Sequence, residues 1–428
     1  MKTLPFVLAF LGVILLVRAD HVSWTGAIDG SWDNAGNWDP SMVPGENDTA
    51  LIGVVATPNK NLQLAGESYS LAELSFQDGG FHLSGNSDTT LTLLGGVLYS
   101  EASDDSENVI TADLILGAAA NSISVFGDVH RLALNNLLSN GPLTTHVDGE
   151  DGCLELNGTT TVQGTLVKTG DGQVCIMSGF DLTATSIQGG FISVEADGSL
   201  GDVTIAAGSA LLIDMGATAA AGKVESAGTL IISEFVSGNG TLQASEGVTI
   251  QNGGTLSGAG TIQGDVTIME GATVEGGAYF EPAGLSITGN LTMSGTMGVT
   301  IVNEHFDLIG SINLTGDLNL SGLLYVQIVD VENVEGLYGV ITYTGELTGA
   351  FSGVVGTNPG YHYQLIYNHD EKMVQLQVTA VPEPSTAALL ATAGLLLIRR
   401  RKGRDHSASP RRRGGLRSVS KPFSIRTY

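Results

Sequence analysis

Thr160-Thr161-Val162-Gln163-Gly164-Thr165-Leu166-Val167-Lys168-Thr169-Gly170-Asp171-Gly172-Gln173-Val174-Cys175-Ile176 decides the fold class. Short runs of β-branched and aliphatic residues alternate with Gly and Asp at turn positions, the pattern of strands joined by tight turns. The unit recurs as Gly228-Thr229-Leu230, Gly240-Thr241-Leu242, Gly254-Thr255-Leu256 and Gly260-Thr261-Ile262, and more loosely as Gly271-Ala272-Thr273-Val274. No stretch of the body carries a convincing amphipathic helical stripe. Strand and turn repeating every dozen or so residues predicts an all-β solenoid in which each coil buries its apolar rungs against the next. A right-handed parallel β-helix fits best, because its turns tolerate irregular length and Gly, Thr and Asn can form ladders along its corners. A set of antiparallel sandwiches is the rival.

Composition agrees with a packed β protein. Gly makes up 59 of 428 residues, about twice the usual ~7%, without the G-X-Y period of collagen. Hydrophobic residues are 42% of the chain, too many for a disordered one. Of the 18 Lys and Arg, only Lys60, Arg131, Lys168, Lys223 and Lys372 lie between Arg18 and Arg399. Five cations against 43 of the 44 acids leave the body near −38. Such a surface repels nucleic acid and anionic lipid, which require clustered cations, and so excludes a nucleic-acid partner. It is compatible with loose Ca2+ binding, although the G-G-x-G-x-D nonapeptide that would make calcium specific is missing. No other cofactor or metal is implied.

Lys168-Thr169-Gly170-Asp171-Gly172, with Val174-Cys175-Ile176-Met177-Ser178-Gly179, then Gly189-Gly190-Phe191-Ile192-Ser193-Val194, resembles the autotransporter-associated β-strand repeat. Leu256 to Val266 and Phe306 to Gly322 continue in the same style, so the resemblance covers about 160 to 325. It implies a displayed or secreted β-helical stalk and no catalysis. The domain order expected is a Trp-rich N-terminal cap over 20–60, solenoid repeats over 61–325, and a closing C-terminal β-hairpin or cap over 326–380. Trp24, Trp32 and Trp38 are the only tryptophans. They suit either an aromatic platform for sugar beside an Asp/Asn cation site or, preferably, a seal on the first coil. In the second cap, Tyr361 to Leu365 and Met373 to Val378 flank a turn at Asn368-His369-Asp370-Glu371.

The two ends read as addresses. Lys2, an apolar run from Leu4 to Val17 and Val17-Arg18-Ala19 predict a signal peptide over 1–19 cut between Ala19 and Asp20. Val381-Pro382-Glu383-Pro384-Ser385, an uncharged segment from Ala387 to Ile398, and the stop Arg399-Arg400-Arg401-Lys402 resemble the PEP-CTERM sorting tail of exported Gram-negative bacterial proteins, over 381–402. Two prolines keep the motif extended and accessible. At about 1.5 Å per residue the apolar helix spans roughly 18 Å, short of the ~30 Å bilayer core, and the cations hold it on the cytoplasmic side. The resemblance implies an exosortase-type membrane protease as partner, transient inner-membrane anchoring by a short transmembrane helix, then a cell-surface or extracellular location. Sequences with this tail usually stop after the basic cluster, whereas this chain continues through 403–428 with a basic segment of disordered composition.

Signatures of catalysis are missing: there is no G-x-S-x-G, Walker loop, G-x-G-x-x-G or H-E-x-x-H. The acidic clusters Asp104-Asp105 with Glu107, and Asp148-Gly149-Glu150-Asp151, are solvated turns before they are carboxylate pairs for glycoside hydrolysis. Lone histidines such as His130 and His305 are packed or surface residues before they are ligands. Cys153 and Cys175, about one coil apart, suit either a disulfide between neighbouring coils or two free thiols. The function expected is structural or adhesive display at the envelope or in the extracellular matrix, with matrix polysaccharide as a partner and no catalysis. The alternatives are a carbohydrate-active β-helix enzyme, marked by a carboxylate pair in a groove, and an ice or polysaccharide binder. A flat array of threonines would mark an ice binder.

Overall fold

The computed structural model describes residues 20–381 apart from 56–57, 67, 103–105, 215, 234–239, 278–283, 303–306 and 330–333. Its strands all lie in the unit ending at Ala380. The coil containing the stretch quoted above shows the plan. Thr160–Thr169 runs along two faces, interrupted by a register shift between Val162 and Thr165, and Gln173–Ile176 makes the third. The next coil repeats this as Phe180–Ile187 and Phe191–Val194, pairing in parallel with Thr160 opposite Phe180, Lys168 opposite Ile187 and Gln173 opposite Phe191. The chain is therefore a three-faced parallel β-solenoid. Its third face stacks fourteen strands from Asn61–Gln63 to Gly353–Gly356.

Alternation along each strand sends one side chain in and the next out. On the third face the inward column runs in register through Leu132, Leu154, Val174, Ile192, Leu211, Leu230, Leu256, Val274, Met297 and Leu324, all 0% exposed. At about 1.5–3 kcal/mol for each buried aliphatic side chain, columns of this kind supply the driving force that the missing helices do not. Corners solve the remaining polar problem. Between the first and second faces, the backbone N–H of Asn290 donates to Asp265 Oδ1 (2.8 Å), that of Asp317 to Asn290 Oδ1 (2.9 Å), and that of Glu346 to Asp317 Oδ1 (2.8 Å). Each side chain satisfies a corner amide of the next coil, so part of the acid excess is structural.

Coil length varies from 18 residues (Gln173 to Phe191) to 30 (Leu323 to Gly353). The longer coils gain length in the return from the third face to the first, as between Gly276 and Leu285 or between Val302 and Ile312. Between strands, antiparallel pairing among the described residues is confined to the ends and to one extension. The sandwich alternative therefore falls. Parallel coils also run past both expected domain limits: His21–Trp24 already pairs in parallel with Thr49–Ile52, and Leu347–Gly349 and Gly353–Gly356 still stack on the preceding coil.

The N-terminal end shows why the tryptophans sit together. Trp24, Trp32 and Trp38 are at most 2% exposed. Trp38 meets Trp24 and Trp32 edge to face, at 5.0 and 4.6 Å between centroids. Trp38 Nε1 donates to the Trp32 carbonyl (2.8 Å) and Trp24 Nε1 to that of Asn59 (3.0 Å). Trp38–Asp39 pairs antiparallel with His21–Trp24, covering the free edge of the first strand. No ring face is presented to a ligand, so the sugar-platform reading is corrected. The neighbouring acids brace the loops. Asp48 accepts from the N–H of Asp20 and Gly45, and Asp29 accepts from Asn37 and Ser31, with the Asn37 bond holding its carboxyl below the usual range. At the other end Tyr361–Asn368 and Met373–Ala380 form an antiparallel hairpin, whose second strand closes on Gly336–Thr342.

Candidate functional site

Stacking coils at about 4.8 Å turns outward residues into files. Each face carries one file of threonines: Thr218, Thr241 and Thr261 on the first, Thr249, Thr267 and Thr292 on the second, and Thr229, Thr255, Thr273 and Thr296 on the third. Beside the third file stands a different column, Ile231, Ser257, Glu275, Gly298 and Tyr325, so the hydroxyls form single lines and not a two-dimensional array.

That second column floors a groove of about 730 Å3. Thr273–Gly276 ends after four residues, whereas Thr296–Val302 and Leu323–Val329 run on in register to Val302 opposite Val329. Their overhang leaves one side of Thr296–Val302 free, and Asp307–Ile309 takes it in antiparallel pairing, with Ile309 opposite Thr300. The step so formed is the groove wall, with Ile309 and Gly310 on one side and Tyr325, Gln327 and Val329 on the other. Glycine makes the depth. A Cβ on Gly298 would stand 2.9 Å from Glu275 Cγ, so the glutamate stem crosses a position without a side chain. A Cβ on Gly276 would stand 2.5 Å from the Ser311 carbonyl, which fixes how closely the wall approaches. Tyr325 is 40% exposed.

Glu275 is the one carboxylate among the described lining residues, and no Lys, Arg or His is among them. Hydrolysis of a glycosidic bond needs two carboxylates about 5–9.5 Å apart, and elimination on an acidic sugar needs a cation near the substrate carboxylate.

The other sites indicated by sequence are dispersed. Asp148 to Asp151 is a solvated corner in which the Asp151 N–H donates to the Asp128 carbonyl (3.1 Å). Glu107 lies opposite Arg131, and its neighbours Asp104 and Asp105, like His305, fall outside the described residues. His130 is buried. Ser100 Oγ lies 2.7 Å from its Nε2, and Nδ1 lies 2.7 Å from the Ser106 carbonyl. That carbonyl assigns the ring proton to Nδ1, so Ser100 donates to Nε2. A serine–histidine pair of this geometry would suit nucleophilic chemistry at a surface. Here both partners are 0% exposed, and Asn108 Nδ2 completes the interior network at 3.0 Å from Ser100 Oγ. Sequence reading missed this network, because a Ser and an Asn from one coil and a His from the next share no motif. Asp20 opens the described residues and Val381 closes them. Ala19, Pro382 to Ser385, the helix 387–398, Arg399 to Lys402 and 403–428 lie outside. Among the described residues no helix is long and apolar enough to cross a membrane, and no three His, Cys, Asp or Glu side chains converge to hold a metal.

Cys153 and Cys175 sit on adjacent strands but two positions out of register, Cys153 facing Gln173 and Cys175 facing Glu155. Their sulfurs are unbonded and 3.5 Å apart, against about 2.05 Å in a disulfide. The contact between them lowers the pKa of Cys153 and, with burial, raises that of Cys175. Oxidation is expected to close the pair and to stabilise the chain by about 3 kcal/mol on the loop-entropy model. Thiol titration of unreduced, denatured protein recovered from an oxidising compartment should find no free thiol. Two reactive groups per chain would rule the bridge out.

Comparison with family models, with curated proteins and with solved structures finds no match for this chain.

Proposed function

We propose that the chain is an exported, non-catalytic scaffold that displays its solenoid faces at the cell surface or in the extracellular matrix, delivered there by the leader and the PEP-CTERM-like tail. The observation that carries the reading is the groove, with one carboxylate among its described lining residues, set on a solenoid whose faces each carry a file of threonine hydroxyls. Such a surface suits contact along its length, and the absence of cations among the described lining residues disfavours chemistry on acidic polysaccharide. The parallel stack holds those files at the inter-coil spacing of about 4.8 Å.

The test follows the full chain in a Gram-negative host that has an exosortase. Extracellular protein should lack tryptic peptides from residues 405–428, and alanine at Pro382, Glu383 and Pro384 should leave full-length protein in the inner membrane. Incubation of the secreted protein with neutral and acidic polysaccharides should release no new reducing or unsaturated ends. Normal recovery of the 405–428 peptides would defeat the sorting reading, and time-dependent release of sugar ends would defeat the non-catalytic one.

A further inference from the structure

We infer that the groove on the third face binds an uncharged, hydroxyl-rich saccharide, with a pyranose ring stacked on Tyr325 and its hydroxyls held by Glu275 and Gln327. The inference deepens the display reading and rests on it only in taking the ligand to be bound and not cleaved.

Four observations converge on that chemistry. Tyr325 is large, aromatic and 40% exposed, and its in-register neighbour toward the N-terminus is Gly298, which adds no side chain of its own and is crossed only by the stem and carboxylate of Glu275. An exposed aromatic with a carboxylate beside it offers a flat apolar surface and an adjacent acceptor, which suits the C–H face and the hydroxyls of a sugar ring. Next, neither the Glu275 carboxylate nor the Gln327 amide has a hydrogen-bond partner among the described residues. A carboxylate accepts from two vicinal hydroxyls, and an amide both donates and accepts. Ser257 and Thr300 add hydroxyls along the same groove.

Charge then selects the class of saccharide. With Glu275 the sole charged group among the described lining residues, on a body near −38, a uronate or a sulfated sugar would meet repulsion and find no counter-charge. A cationic peptide would gain one ion pair in a partly exposed site, worth little, and would leave Tyr325 and the hydroxyl groups without a role. Length agrees too. The lining crosses five strands, from Ile231 to Tyr325, about 19 Å along the stack at ~4.8 Å per coil. That accommodates an oligosaccharide of a few residues lying parallel to the solenoid axis.

The experiment titrates the full chain calorimetrically with three probes: neutral gluco-, manno- and xylo-oligosaccharides, oligogalacturonate, and a lysine-rich peptide. A neutral series should bind. Tyr325→Ala should weaken it at least about tenfold, as expected for loss of a stacking anchor. Gly298→Val, which fills the floor at a position of ordinary strand backbone, should do the same, while Thr249→Ala on the second face should change nothing. Because Tyr325 lies at the surface, its replacement tests the groove even if Gly298→Val disturbs the fold. No binding by any neutral series, tighter binding of oligogalacturonate or the peptide, or full affinity in Tyr325→Ala would each overturn the inference. Binding followed by cleavage would uphold the groove assignment and sink the non-catalytic reading, so the two failures are distinguishable.

Discussion

Raising the pH from about 8 toward 10.5 is expected to stabilise the folded chain through Lys168, by about 3 kcal/mol over the whole interval. Lys168 is 0% exposed. It follows the inward Leu166 on the second face, in a column with Thr145 and Ile187. Its Nζ reaches the corner toward the third face, where it donates to the carbonyls of Thr169 (2.8 Å), Gly170 (2.9 Å) and Gly189 (3.2 Å). One cation thereby ties two successive coils at their corner. Burial pushes its pKa down from 10.5 to about 8, and the Asp171 carboxylate opposes that shift only in part. The folded value lies below the unfolded one, so between them the unfolded chain binds more protons. Stability therefore rises with pH through this window, and the penalty is fully present below it.

Denaturant midpoints at pH 7.5 and 9 should diverge between the native chain and Lys168→Met. The substitution abolishes the pH gain, and working below pH 10 avoids the phenols, among which Tyr99 is pushed up to about 12 by burial and by Glu101. At neutral pH the methionine should cost less than the ~3–5 kcal/mol of breaking a buried ion pair, because it strands carbonyls and no buried anion. Parallel pH curves for the two proteins would contradict this account.

Lys168 also marks where sequence reading stops. Its place in a Lys-x-Gly-x-Gly stretch was legible, as was the strand-and-turn grammar that dictates a solenoid. That the lysine points inward was not, because Leu166-Val167-Lys168 fits either face until the neighbouring coils set its register. The threonine files were hidden for a related reason. Thr229, Thr255, Thr273 and Thr296 are separated by 26, 18 and 23 residues, so no fixed period exposes them. The length differences are absorbed at corners, and alignment appears only in three dimensions. The groove depends on two strands outrunning the coil before them and on a glycine opposite Glu275. Both are differences between coils, which a search for repeats averages away. The tryptophans were legible as a cluster, but Gly-Ser-Trp-Asp-Asn suits a binding loop as well as a seal. Only their burial separates the two.

Replacing Gly201 by alanine is expected to cost about 3–5 kcal/mol, more than most single substitutions. Gly201 lies within Gly198–Ile205 where the chain turns from the first face to the second, with register shifts on both sides. Its φ of +61° falls in the left-handed region, which costs an L-residue roughly 1–2 kcal/mol. The larger part is stacking. A Cβ here would stand 1.9 Å from the Thr183 carbonyl oxygen and 2.3 Å from its carbon, both backbone atoms of the preceding coil. That coil cannot retreat, because Phe180–Ile187 is itself paired with Thr160–Thr169 behind it. Either the two coils separate locally, losing ladder hydrogen bonds, or the corner refolds. Gly208 supplies the control: its φ is +80°, yet nothing lies within 4 Å of a Cβ built there, so Gly208→Ala should cost only the conformational ~1–2 kcal/mol. Urea denaturation of the two variants isolates the difference, about 2–3 kcal/mol, as the consequence of one coil resting on another. Equal midpoints for Gly201→Ala and Gly208→Ala would mean that the coils are not in backbone contact at this corner.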